Sequence, residues 1–338
     1  MCKPSWIGVD LGKQTFSAAV ASQGTRPADW ASLAVEQFPH DKQGITAFVR
    51  WVKRHTGKSL LGVCVEATGR LSWSFMDALK GRLGCVCLVN PARPHDYAKS
   101  IGLRSKTDRI DACVLALYGL AMTPVPTALP DSRQRQLREL ARLHERAVSD
   151  QIACRNQLGE PYESSLAKTV LRKKLRALEK EAAVIEAEMD RLIAQDQQSK
   201  ADIKRMLTVP GVGPKTARLM VARFGDLRRY SRNELVALIG VYPREHSSGT
   251  SVHKKPRMAK AGERRIRANL YLSAMNARRF NPHFKQYSER LGARGLQPME
   301  ILGAIMRKLV LTLRAVVVTG TDFEPDRQNR RDGKEACA

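Results

Sequence analysis

No run of this sequence is long and apolar enough to read as a membrane span. Its most apolar late stretch, 301–318, is broken by Arg307, Lys308 and Arg314, as expected of a buried amphipathic helix. The opening residues, Met1-Cys2-Lys3-Pro4-Ser5-Trp6, enter a strand pattern at once. They lack the apolar core and cleavage site of a secretory leader, so a cytoplasmic protein without membrane contact is expected. Cysteine is sparse and odd in number, with 7 in the chain. The only close pair, Cys85 and Cys87, has no second pair to complete a zinc site, which leaves reduced, buried thiols. No G-x-x-x-x-G-K-[ST] phosphate loop is present. Acids are the other scarcity, with 33 Asp and Glu against 58 Lys and Arg and a net charge of +25.

What is present is a chain of 338 residues, 43% of them hydrophobic. That is enough to bury a core, and a length of about two domains at ~150 residues each. The charge is uneven: residues 1–125 carry 16 basic and 9 acidic groups, 126–200 carry 14 and 12, and 201–338 carry 28 and 12. A polyanionic partner is implied, held mostly by the last third.

The pattern of elements predicts an α/β part followed by an all-α part. A strand–turn–strand hairpin spans Trp6–Val20, with Asp10 ending its first strand. The continuous apolar run Leu60–Val65 reads as a strand buried on both faces, with Glu66 at its end. A helix over Leu71–Leu83, a strand over Cys85–Val89 and a helix over Arg109–Leu120 follow. Pro124, Pro126 and Pro130 then form a linker. Leu171, Leu175, Leu178, Ala182, Ile185, Met189 and Leu192 recur at steps of 4 and 3, a heptad seam. A second long helix over Arg133–Leu158 precedes it, so the seam closes either an antiparallel coiled-coil hairpin or a contact between subunits. The expected domains are 1–125, 131–200 as a coiled-coil insertion, and 201–320 as a helical domain, with a disordered basic tail over 321–338.

Three constellations carry chemistry. Asp10 and Glu66 stand at strand ends, and Asp108 and Asp111 lie one turn apart at a helix start. Four such acids repel one another without cations, so oxygen-ligated Mg²⁺ or Mn²⁺ is the expected occupant, suited to phosphodiester chemistry. Val209-Pro210-Gly211-Val212-Gly213-Pro214-Lys215 reads as a glycine turn between two helices. It resembles the helix–hairpin–helix of DNA repair proteins, with Gly211, Gly213 and Lys215 gripping a phosphate. Residues 244–267 combine small hydroxyl residues around Gly249 with Lys254, Lys255, Arg257, Lys260, Arg264 and Arg265, a phosphate-gripping loop leading into a basic helix. A serine there is either a phosphate ligand or a nucleophile.

Gly8-Val9-Asp10-Leu11-Gly12-Lys13-Gln14-Thr15 also looks like the first phosphate loop of actin-like kinases. The second loop those enzymes need is missing, so ATP use is not expected. More of the chain, from about 5 to 315, resembles the IS-one-ten insertion-sequence transposases, relatives of the Piv DNA invertases. Gly8-Val9-Asp10, Val65-Glu66-Ala67-Thr68-Gly69, Lys106-Thr107-Asp108-Arg109-Ile110-Asp111-Ala112, the glycine turn, and Ser247-Ser248-Gly249-Thr250-Ser251 through Lys260-Ala261-Gly262 occur in that family's order. The resemblance implies a RuvC-like (ribonuclease H-like) N-terminal domain with the tetrad Asp10, Glu66, Asp108 and Asp111. It further implies a C-terminal transposase domain with a nucleophilic serine, aligned to Ser248 with Ser247 and Ser251 close by. Phosphoserine-linked cutting and rejoining, donor and target DNA chosen by a bridge RNA, and active sites shared across a tetramer built from dimers come with it. Two other readings remain: a RuvC-like junction-resolving nuclease using activated water, and a non-catalytic RNA- or DNA-binding scaffold.

Overall fold

The computed structural model describes residues 3–67, 69–103, 105, 107–248, 252–260 and 262–325; for 70, 245–248 and 252–256 it describes the backbone alone. The chain divides into two compact units, Met1–Pro130 and Asp131–Ala338.

The first unit is a five-stranded sheet with helices on both faces. Its elements are β1 (Ser5–Leu11), β2 (Thr15–Ser22), β3 (Val35–Pro39), α1 (Lys42–Thr56), β4 (Leu60–Glu66), α2 (Arg70–Leu79), β5 (Val86–Val89), α3 (Ala92–Ser100) and α4 (Asp108–Met122). Spatial order is β3-β2-β1-β4-β5, with β1 antiparallel to β2 and parallel to β4, and β4 parallel to β5. Residues alternate between faces along a strand, and here both faces are apolar. Ile7, Val9, Val63 and Val65 bury with Phe48, Val52, Phe75 and Leu79 of α1 and α2. Trp6, Cys64 and Cys87 bury with Leu115 and Tyr118 of α4. Phe16 anchors the first side, its ring 5.0 Å from Phe75 and 5.4 Å from both Phe38 and Phe48. Helix α2 stops at Leu79, four residues before the pattern's end, because Lys80 leaves helical geometry and Gly81 follows at φ 73°. Leu83 is still buried, so its apolar periodicity reports a packed turn.

The second unit begins with two long antiparallel helices, α5 (Ser132–Leu158) and α6 (Ser165–Ala194). The Gln151 amide donates to Leu178 O at 3.0 Å, the Cys154 thiol to Leu171 O at 3.3 Å, and Arg155 pairs with Glu179 at 2.8 Å. Ala182, Ile185, Met189 and Leu192 of the heptad seam are buried in this chain's own core. There follow α7 (Gln197–Leu207), α8 (Pro214–Phe224), α9 (Arg232–Ile239), β6 (Pro243–Ser248), β7 (Val252–Met258), α10 (Arg264–Phe280), α11 (Pro282–Ala293) and α12 (Pro298–Thr319). Helix α12 supplies the central apolar stripe, including Ile305, Leu309, Val310, Leu313 and Val317. Among the described residues no helix is long and apolar enough to cross a membrane. Residues 326–338 of the expected tail lie outside the description.

The serine segment differs from the expected loop. Its described parts are two antiparallel strands, β6 and β7, registered from Pro243 opposite Met258 to Ser248 opposite Val252, with a register shift between Arg244 and His246. Ladder hydrogen bonds satisfy backbone groups that a loop would leave to water.

Candidate active site

The first unit sets Asp10 and Glu66 at neighbouring strand ends on one face of its sheet, with Asp108 and Asp111 in the first turn of the helix that covers that face. A Cβ added at Gly8 would lie 2.2 Å from Ala112 O and from Ala116 N, so the backbone of α4 rests directly on β1. One added at Gly119 would meet the Trp6 ring at 2.7 Å and Cys64 Sγ at 3.0 Å. Helix α4 therefore runs antiparallel to β1 across this face, with Trp6 beneath Gly119 and Gly8 beneath Ala112 and Ala116. Two strand residues advance ~6.6 Å and a helical turn ~5.4 Å, so Asp10 falls beneath the first turn of α4, where Asp108 and Asp111 stand. Glu66 joins them through strand register. Val9 pairs with Val65 in the parallel ladder, and Glu66 follows Cys64 on the α4 face.

Local chemistry supports that helix start. The Thr107 hydroxyl oxygen accepts from Ile110 N–H at 3.3 Å as an N-cap. Asp108 and Asp111 then place negative charge at the positive end of the helix dipole. Asp10, Glu66 and Asp111 are half-buried and Asp108 is exposed. Carboxylate oxygens alone make up this set, which in kind fits a hard divalent cation. Among the described residues, however, no three His, Cys, Asp or Glu side chains form a group able to hold a metal ion. The acids share a face and an end without closing into one coordination shell.

The glycine turn of the second unit separates its two glycines by role. Gly211 sits at φ 99°, and a Cβ there would approach Ala277 Cα at 2.5 Å, so this glycine serves the packing of the turn against α10. Close approach to a phosphate, expected at both positions, is open only at Gly213, which caps α8 and has nothing within 4 Å of an added Cβ. Gly211→Ala should cost about 2–4 kcal/mol, as left-handed strain and overpacking add. Gly213→Ala meets no clash and should cost less, about 0.5–1 kcal/mol for the weaker helix cap. Urea unfolding of the two variants measures the contrast; equal losses would refute the assignment.

The remaining basic candidates are partly described. Lys215, Arg257, Lys260 and Arg264 are exposed and Arg265 is half-buried. The side chains of Ser247, Ser248, Lys254 and Lys255, and the whole of Ser251, lie outside the described residues. Gly262, at φ 116°, packs on the end of α9, where a Cβ would reach Leu238 O at 2.2 Å. Thiols offer no rival nucleophile in the first unit's core. Burial pushes Cys113 up to about 11 and Cys87 up to about 12, and holds Cys64 higher still.

A mixed sheet with acids at neighbouring strand ends, covered by a helix that begins with two more, is in keeping with one class, the transposases with a RuvC-like DEDD domain. A family model for DEDD transposases of the IS110 kind matches residues 7–160, and one described as the transposase IS116/IS110/IS902 family matches 203–289. The chain belongs to the IS110 family of transposases, DNA-recombining enzymes of insertion sequences. It is 28% identical over 329 residues to the pilin gene-inverting protein of Moraxella bovis, covering 95% of this chain and 98% of that one. It is 27% identical over 151 residues to an uncharacterized protein of insertion element IS110 from Streptomyces coelicolor, 44% of this chain and 36% of that one. A transposase of insertion element IS1111A from Coxiella burnetii matches at 42% identity over 53 residues, 15% of each chain.

Proposed function

We propose that this transposase cuts and rejoins DNA through a phosphoserine link, with Asp10, Glu66, Asp108 and Asp111 as its acidic centre and Ser248 as its nucleophile. What supports the reading is the placement of Asp10 and Glu66 at neighbouring strand ends by the β1–β4 register, on the face where α4, which begins with Asp108 and Asp111, rests on Gly8. The tetrad would hold Mg²⁺ or Mn²⁺, which when bound supplies charge neutralisation at a phosphodiester and lowers the pKa of an attacking hydroxyl.

The chain's own residues do the rest. Ser248 Oγ attacks phosphorus and loses its proton to a carboxylate; an Oγ–P bond forms, and the bond to the leaving strand oxygen breaks, that oxygen taking a proton. Rejoining reverses the step, as a strand hydroxyl attacks and serine regains its proton. The phosphodiester energy is conserved, and ATP is not needed. Gly213 and Lys215 hold backbone phosphate at the start of α8, with Gly211 shaping the turn. Lys254, Lys255, Arg257, Lys260, Arg264 and Arg265 neutralise phosphates near the cut. A bridge RNA chooses donor and target DNA, and dimers assemble to a tetramer in which the acids of one subunit serve the serine of another. The net charge of +25 suits a chain that holds two nucleic acids.

Trapping tests the chemistry. Protein incubated with element-end DNA and Mg²⁺, then denatured, should carry a covalent DNA adduct that Ser248→Ala abolishes and Ser247→Ala retains. Free cut ends without any adduct would replace this reading by a nuclease that activates water.

A further inference from the structure

The second unit holds a cleft that the acidic centre does not use. It opens where α5, α6, α8 and α10 meet, and its volume is about 50 Å³. One water needs ~10–15 Å³ on this measure. The space is large enough for a small tetrahedral group.

Charge decides what kind of group. Both of the cleft's acids have an arginine partner: Glu186 accepts from Arg218 at 2.9 Å, and Glu145 Oε2 pairs with Arg223 at 2.7 Å, while Glu145 Oε1 is buried without a hydrogen bond. His144 Nε2 lies 3.3 Å from Glu186, and burial holds its ring below the usual imidazole range, so it adds no charge at neutral pH. Among the described residues, Lys215 and Arg265 line the cleft without an ion pair. Both sit in the first turn of a helix, α8 and α10; neither first turn contains an acid, and the N-cap acid of α10, Glu263, lies 3.8 Å from Arg223. Cations at helix N-termini oppose the dipole by ~0.3–1 kcal/mol each, a cost that a bound anion reverses. A buried hydroxyl contact, Thr216 to Ser273 at 2.9 Å, ties α8 to α10.

We infer that this cleft seats one phosphate of a nucleic-acid backbone between Lys215 and Arg265, with Asn269 at its wall. The inference deepens the nucleic-acid role proposed above and rests on it. A single seated phosphate fixes the register of a strand, whereas a diffuse basic surface only attracts it. The backbone chemistry is common to DNA and RNA, so both are used as probes.

The test is affinity against salt for the full chain, with a duplex DNA oligonucleotide and a structured RNA measured separately. Arg265→Gln should weaken binding to one of them about tenfold, with the salt slope falling by ~0.7–0.9 for one lost phosphate. Val148→Phe fills the cleft and leaves every charge in place, so it should weaken the same probe similarly. Circular dichroism and melting check that both variants fold. If the wild type binds both nucleic acids but Val148→Phe binds them unchanged, the seat is refuted while the broader reading stands. If the wild type binds neither, the broader reading falls as well.

Discussion

Asp10→Asn should reduce strand exchange by about 10³-fold while the protein stays folded and binds DNA as before. The substitution keeps volume and hydrogen-bonding shape and removes one anionic oxygen pair at the end of β1. An acidic centre of this kind contributes several kcal/mol of charge stabilisation to phosphoryl transfer, and each ~1.4 kcal/mol is a factor of ten in rate. A second readout does not depend on activity. Mg²⁺ bound to the folded state raises the melting temperature by mass action, so the wild type should gain stability as Mg²⁺ is added and Asp10→Asn should gain much less. Glu66→Gln should behave alike, because register sets the two acids side by side on one face. Wild-type exchange rates in Asp10→Asn would overturn the assignment.

The placement of these acids at strand ends and at a helix start was legible in the sequence, because those are local signals. The relation that would bring them together was not. Nothing local in Gly8 says that Ala112 and Ala116, over a hundred residues later, lie against it. Such contacts follow from topology, and period and propensity are blind to them. The glycine turn shows the reverse error. Gly211 and Gly213 look equivalent in sequence, yet one is consumed by packing on Ala277 and the other stands open. The heptad seam announced its periodicity but not its partner, and its C-terminal half turns out to fill the chain's own core. Strand β3 and helix α1 lay beyond the sequence reading, as did the β6–β7 pairing, since its alternation is masked by Lys and Arg. The cleft between α8 and α10 was unreadable for the same reason as Gly8: Lys215 and Arg265 are fifty residues apart and meet only through the fold.

Gly8→Ala tests that topological argument most severely. Its added methyl would lie 2.2 Å from two backbone atoms of α4, a contact that no rotamer change can relieve. Either β1 or α4 must retreat by about an ångström, and ordinary overpacking already costs ~1–3 kcal/mol. A clash with backbone on both sides should exceed that, so a loss of at least ~3 kcal/mol is expected, a large share of a typical domain's ~5–15 kcal/mol. Gly84→Ala serves as the control in the same unit, with nothing within 4 Å of the new Cβ, and should stay within ~0.5 kcal/mol. Molecules of Gly8→Ala that still fold should be poor catalysts at low temperature, because a retreat of α4 carries Asp108 and Asp111 away from Asp10, and ~1 Å of misplacement costs on the order of 10²-fold. Stability and activity should therefore fall together in Gly8→Ala, in contrast to Asp10→Asn, where activity falls alone. Unaltered melting of Gly8→Ala would mean that α4 does not lie against β1, and that Asp108 and Asp111 do not stand over Asp10.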